Sequence, residues 1–237
     1  MSDLAELAAT LDAVVAGGDG GAPQRICEVC VAALPVSGAA VSMMTDADHR
    51  VMVCATDETS AHLEELQFSL GEGPCVEGFA ARRPVLVPDL GEVSDARWPI
   101  FAAAARRTQA RAVYVFPLQF GAIGLGVLDL YRVDPGFLGA DELTGALLTA
   151  DAVLWALLNH RSALSPDGRS EFGGSAVGWL DHTEVHQATG MIMAQSEVSA
   201  EDALARLRAF AFAHDRSIEE VAREVVARRL HFDIACD

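Results

Sequence analysis

What most constrains this chain is a break in its hydrophobic rhythm. Up to about His160 the apolar residues alternate between helical and strand-like spacing, and beyond Ser175 they are helical only. Between the two lies Ser165-Pro166-Asp167-Gly168-Arg169, continuing to Gly173-Gly174-Ser175, a stretch of linker composition. The chain therefore reads as two units: residues 1–163, a linker at 164–177, and residues 178–237. An apolar fraction of 51% is ample for a packed core and argues against wholesale disorder.

The first unit predicts a helix over residues 3–16, ended by Gly17-Gly18-Asp19-Gly20-Gly21, and a second from Pro23 to Leu34. Ala39–Thr45 and Arg50–Thr56 read as strands joined at Asp46-Ala47-Asp48-His49. Glu58–Ser69 is helical in pattern, a short helix runs from Pro74 to Ala81, and Pro84–Pro88 is a short strand. Trp98–Arg107 is helical again, Arg111–Leu118 and Ile123–Tyr131 form a second hairpin, and Asp141–His160 is a long helix. Strand pairs of hairpin type favour an α+β fold with an antiparallel sheet over a doubly wound parallel one.

The second unit predicts three short amphipathic helices, an all-α module. Val185, Ala188, Ile192 and Met193 fall on one face of the first; Ala203, Leu204, Leu207, Phe210 and Ala211 line the second; Ile218, Val221, Ala222, Val225 and Val226 line the third. Ser199 with Asp202, and Ser217 with Glu220, are capping-box pairs. About sixty residues make a marginal core, which favours docking or dimerisation.

Charge narrows the function classes. The net charge is −17 and every basic side chain besides histidine is arginine. Acidity on this scale opposes non-specific nucleic-acid binding, which relies on neutralising phosphates. Yet Leu204–Arg229 holds 6 Arg against 4 acids, the only locally basic stretch of useful length. The five cysteines are odd in number and scattered, as in a reducing compartment. Cys27 and Cys30 form a C-x-x-C within an apolar helical stretch and read as buried small residues rather than a redox pair or half a zinc site. No apolar run is long enough for a membrane span, and the acidic start is unlike a secretory signal, so a cytoplasmic protein is expected. The sequence lacks G-x-S-x-G, H-E-x-x-H and P-loop patterns, so no catalytic residue, cofactor or metal is expected. The i, i+4 pair His182 and His186 has no assignable third ligand.

Two stretches resemble known families. Leu70-Gly71-Glu72-Gly73-Pro74-Cys75, with Arg83-Pro84-Val85, Pro88-Asp89-Leu90, Arg97-Trp98-Pro99 and Phe116-Pro117-Leu118, resembles a GAF sensor domain of actinobacterial type over roughly residues 3–160. Gln187-Ala188-Thr189-Gly190-Met191-Ile192-Met193-Ala194-Gln195, with Ala203–Arg208, Ala222 and Val225-Val226, resembles an ANTAR domain over about residues 178–230. One departure is Ala209-Phe210-Ala211-Phe212-Ala213, where other ANTAR domains carry polar or basic residues. The resemblance implies a dimeric transcription antitermination regulator. Its ANTAR module would bind hairpin loops of nascent RNA, and its GAF-like domain would respond to an unknown small molecule or a partner.

Candidate contacts follow. Gln187, Thr189 and Gln195 could hydrogen-bond unpaired loop bases. Gly190, costly inside a helix, admits close approach by a neighbouring helix or by RNA backbone. Glu219 with Arg223 and Glu224 with Arg228 are ideal intrahelical pairs, which leaves Arg208 and Arg216 as the favoured phosphate contacts, while His214 either stacks on a base or faces water. In the sensor half Cys75, at a helix N-terminus where a thiol can be made reactive, and Trp98 are candidate ligand-pocket residues. Two rival readings remain: a protein-docking module, suggested by the acidity and Phe210–Phe212, and a redox switch through Cys75 or Cys54.

Overall fold

The computed structural model describes residues 2–45, 50–94, 96–163 and 182–232. The expected turn at Asp46–His49, the linker at 164–177, Trp179 and Cys236 lie outside them. The chain separates into two compact units, the first built from residues up to the linker and the second from the C-terminal helices.

The first unit runs α1 (Ser2–Gly17), α2 (Ala22–Ala33), β1 (Gly38–Met44), β2 (Arg50–Ala55), α3 (Glu58–Leu70), α4 (Pro74–Ala81), β3 (Val85–Val87), α5 (Pro99–Ala105), β4 (Ala112–Phe120), β5 (Ile123–Arg132) and α6 (Ala140–Ala163). The strands form one antiparallel sheet in the order β2-β1-β5-β4-β3. Both expected hairpins are present, β1 with β2 and β4 with β5. The sheet is closed across its middle by β1 against β5, with Ala40 opposite Asp129.

The period-2 alternation of side chains divides the sheet into two unlike faces. Ala39 and Val41 of β1, Ala112, Tyr114, Phe116 and Leu118 of β4, and Leu128 and Leu130 of β5 point into one core. That core is completed by Leu7, Leu11, Ile26, Cys27 and Cys30 from α1 and α2 and by Val153 and Leu157 from α6. Gly145 lets α6 come in close: a Cβ there would lie 2.7 Å from a methyl of Leu34. The opposite parity, including Ala40, Ser42, Met44 and Asp129, faces the other side, where α3 and α4 pack. Cys27 Sγ lies 3.8 Å from Cys54 Sγ, so the C-x-x-C helix meets a different cysteine from the one its spacing suggests.

The second unit holds α7 (Thr183–Ser196), α8 (Ala200–Ala213) and α9 (Ile218–Val226), packed pairwise. Its core is Val185, Ala188, Ile192, Ala203, Leu204, Leu207, Ala211, Ile218, Val221, Ala222 and Val225, all buried. Both serines cap their helices: Ser199 Oγ accepts from the Asp202 amide and Ser217 Oγ from the Glu220 amide, each at 3.1 Å. Met193, expected on the core face of α7, is instead exposed, because position 193 turns past the stripe of 185, 188 and 192. Among the described residues no helix is long and apolar enough to cross a membrane.

Candidate functional site

In the first unit a charged cluster is buried where an apolar core would be expected. Arg50 begins β2, Ser42 lies in β1, Glu64 and Gln67 in α3, Cys75 in the first turn of α4, and Asp129 in mid-β5. All six are at least nine-tenths buried. The Ser42 hydroxyl donates to the Glu64 carboxylate and Arg50 Nη2 donates to the Glu64 carbonyl. Arg50 Nη1 lies 3.4 Å from Cys75 Sγ and 4.0 Å from a Glu64 carboxylate oxygen, and the guanidinium sits 5.4 Å from the Phe68 ring centre. Gln67 is the splint of the arrangement. Its Nε2 donates to Glu64 at 3.2 Å and its Oε1 accepts from the Cys75 amide at 2.7 Å.

Asp129 has no such support. Both of its carboxylate oxygens are buried without a hydrogen-bond partner. Burial first, then the negative charge of Glu64, pushes its carboxyl well above the ordinary carboxylate range, against the lowering pull of Arg50. Beside it lies a cavity of about 10 Å³ lined by Ser60, Gln67, Phe101, Val113 and Tyr131, and the buried Ser60 hydroxyl also lacks a partner. Glu64, Cys75 and Asp129 each offer one ligand atom, all within 4.8 Å of one another.

The loop before α4 explains its own sequence. Gly73 has φ of +135° and a Cβ there would collide with Gln67 at 2.7 Å, so glycine is required. Pro74 starts α4, as the pattern predicts. Glu72 reaches the next helix, where its Oε1 accepts from the amides of Ile100 and Phe101 at 2.7 Å each and so caps α5 from a distance.

The two sequence candidates of this half fare differently. Cys75 sits fully buried inside the cluster. Its thiol is pushed well above its usual value by burial and by Glu64 and Asp129, so the activation expected from the helix N-terminus is overridden. Trp98 is buried, edge-on to Phe101 at 6.2 Å and beneath the Arg97 guanidinium, and the small cavity is lined by Phe101 instead. Arg50, Glu64, Gln67 and Asp129 escaped the sequence reading. The available signal was a charge in the midst of an apolar strand, as in Val127-Leu128-Asp129-Leu130.

In the second unit Gln187 and Gly190 lie on the outer face of α7, and a Cβ at Gly190 would meet nothing within 4 Å. Close packing within this unit is therefore not what the glycine serves. Thr189 is turned inward, its hydroxyl donating to the Val185 carbonyl at 2.8 Å. Gln195 is half-buried, and its Oε1 accepts from the Phe232 amide at 3.1 Å. His214 is exposed at the end of α8, stacked on Phe210 at 4.0 Å with Nδ1 2.8 Å from the Phe210 carbonyl.

The arginines expected to be spare are engaged. Arg216 lies 3.0 Å from Glu224 and 3.9 Å from Glu220, and Arg208 also has an interaction partner. Glu224 is thus used by Arg216, and Arg223 reaches Glu184 at 3.5 Å. The expected Glu224–Arg228 pairing gives way because Arg228 follows the end of α9 with φ of +57°, outside the helical register.

Comparison with known proteins agrees with both units. The sequence model of the GAF domain matches residues 24–157, and that of the ANTAR domain matches residues 180–226. No curated protein matches the chain. Among solved structures, the GAF domain of a phosphoenolpyruvate-protein phosphotransferase from Coxiella burnetii is 12% identical with a TM-score of 0.55, over 68% of this chain and 96% of that one. The corresponding domain from Acinetobacter is 8% identical with a TM-score of 0.51, over 70% and 96%. A free methionine-R-sulfoxide reductase from Neisseria meningitidis, solved with its substrate, is 18% identical with a TM-score of 0.50, over 68% and 92%. These likenesses are of fold.

Proposed function

The chain belongs to the GAF domain family and carries an ANTAR domain after its GAF domain, and from that premise we propose that it is an RNA-binding transcription antitermination regulator. A domain pair of this kind is regulatory, joining signal sensing to transcription control. In the proposed scheme the protein is a cytoplasmic homodimer without catalytic activity. The GAF half takes a small ligand or partner, and α6 passes the resulting bias towards the C-terminal helices. A ligand shifts such an equilibrium only through different affinities for the two states.

The observation that carries the RNA reading is the outer face of α7. Gln187 and Gly190 stand there with Met193 and Ala194, all exposed, in the segment matched by the ANTAR model. Gly190 leaves its backbone open to a close partner, and Gln187 beside it offers both a donor and an acceptor to an unpaired base. His214 presents a ring at the end of α8. Arg208 and Arg216 would reach phosphate only by exchanging their present partners, and Gln195 only by releasing the Phe232 amide. Thr189 contributes through the shape of α7. For the homodimer, the support is the half-exposed Trp155 on α6, edge-on to exposed Phe120 at 6.1 Å.

A second reading, docking on a protein partner, is favoured by Phe212, which is 62% exposed on α8. Titration of a labelled two-hairpin leader RNA at several salt concentrations separates the two. Binding that weakens with salt, and weakens further in Gln187→Ala/His214→Ala, upholds the RNA reading. If a folded dimeric protein and its residues 178–237 fragment both leave the RNA unshifted at low salt, the docking reading replaces it.

A further inference from the structure

Asp129 poses the question. A buried carboxylate is normally paired, hydrogen-bonded or bound to a metal, since leaving it bare in a low-dielectric interior is costly. Here neither oxygen has a hydrogen-bond partner, and a second carboxylate and a thiol each bring a ligand atom within 4.8 Å. The one guanidinium nearby, that of Arg50, makes contact with Glu64 and Cys75. Ser60 and Asp129 both line the adjacent cavity of about 10 Å³, where a single water could serve Ser60 Oγ and at most one Asp129 oxygen. It would leave the second Asp129 oxygen without a partner.

We propose that Glu64, Cys75 and Asp129 form a binding site for a divalent transition-metal cation. The three ligand atoms come from three separate elements, α3, α4 and β5, and converge to within 4.8 Å of one another. The supports for two of them are already made. Gln67 fixes both the Glu64 carboxylate and the Cys75 backbone, and the Ser42 hydroxyl holds Glu64. Outer contacts of this kind orient metal ligands. One thiolate with two carboxylates suits a borderline ion such as zinc or ferrous iron better than calcium or magnesium, which prefer all-oxygen shells. Arg50 repels a cation, yet it also favours the deprotonated thiol and carboxyl that a metal needs. Binding releases the protons that Asp129 and Cys75 hold.

The site lies in the half read above as the sensor, and it rests on that reading only for the claim that the cation is what is sensed. Cobalt(II) alone is the probe, titrated into the full-length protein after chelator treatment. The expected result is a single cobalt ion per chain with a thiolate-to-cobalt charge-transfer absorption, displaced by zinc. Cys75→Ser should abolish that absorption, and Asp129→Asn should weaken binding at least about tenfold, because losing a ligand exceeds the roughly 10–100-fold cost of losing an outer contact. Circular dichroism and size exclusion establish that both variants are folded. Absence of stoichiometric cobalt uptake by folded wild type overturns the site, as does unchanged uptake in both folded variants. Cobalt bound in the expected way with no change in RNA binding upholds the site and overturns the sensing claim alone.

Discussion

The first unit and the second differ in what they place at their centres. The three C-terminal helices bury mainly aliphatic residues; of the polar side chains that go inside, Thr189 and Ser196 donate their hydroxyls to backbone carbonyls and His182 lies 3.5 Å from Glu219. The sheet of the first unit has one face of that kind, packed by α1, α2 and α6, and a second face carrying Arg50, Glu64 and Asp129. A core that only has to hold together gains nothing from buried charge, and removing one partner of such a group is expensive. The apolar face is where the first unit is held together, and the charged face is where the proposed site lies.

The contrast breaks most easily in the smaller unit. Leu207 is fully buried in a core of three short helices. Leu207→Ala should cost about 2–5 kcal/mol, enough to unfold a domain of this size. Loss of helical signal at constant signal from the first unit, followed by thermal melts, is the readout; a fully folded variant would mean that the unit draws its stability from elsewhere. In the first unit the corresponding change runs the other way. Asp129→Asn keeps the shape and removes a bare carboxyl, so the metal-free protein should gain about 1–3 kcal/mol in urea unfolding.

The same carboxyl gives the first unit a pH signature opposite in sign to that of Glu224 in the second, whose pKa is lowered by its hydrogen bond with Arg216. The folded pKa of Asp129 is raised, so the native state holds a proton that the unfolded chain releases above the ordinary carboxylate range. Stability is therefore greatest below the unfolded value and falls as pH rises from there towards the folded value, by up to about 1.4 kcal/mol per unit of pH. Urea midpoints measured across this range should show the slope in wild type and lose it in Asp129→Asn.

The caps of the second unit rank next. Ser217→Ala removes an acceptor for the Glu220 amide and should cost about 1 kcal/mol. This cap was legible in the sequence, as were both hairpins, because each depends on residues a few positions apart. The β1–β5 pairing was not, since it joins segments some ninety residues apart with no local signal. Asp129 was hidden for the same reason. Its significance comes from Glu64 and Cys75, which only the fold brings near. The arginines show the limit at short range. Counting i, i+4 pairs gave Glu224 to Arg228, but the helix ends at 226 and Arg216, eight residues before Glu224, takes the carboxylate.

Gly190 gives the smallest effect and separates two causes. If the glycine served packing inside the second unit, Gly190→Ala would destabilise it. The structure leaves the site open, so alanine should instead raise its stability by up to about 1 kcal/mol, the helix-propensity difference. The same methyl group projects from the outer face of α7 and should obstruct whatever approaches there. A variant that melts higher while binding leader RNA more weakly would place the partner on that face. A variant that melts higher and binds as well as wild type would move the RNA contact away from Gly190, towards the end of α8 where His214 stands.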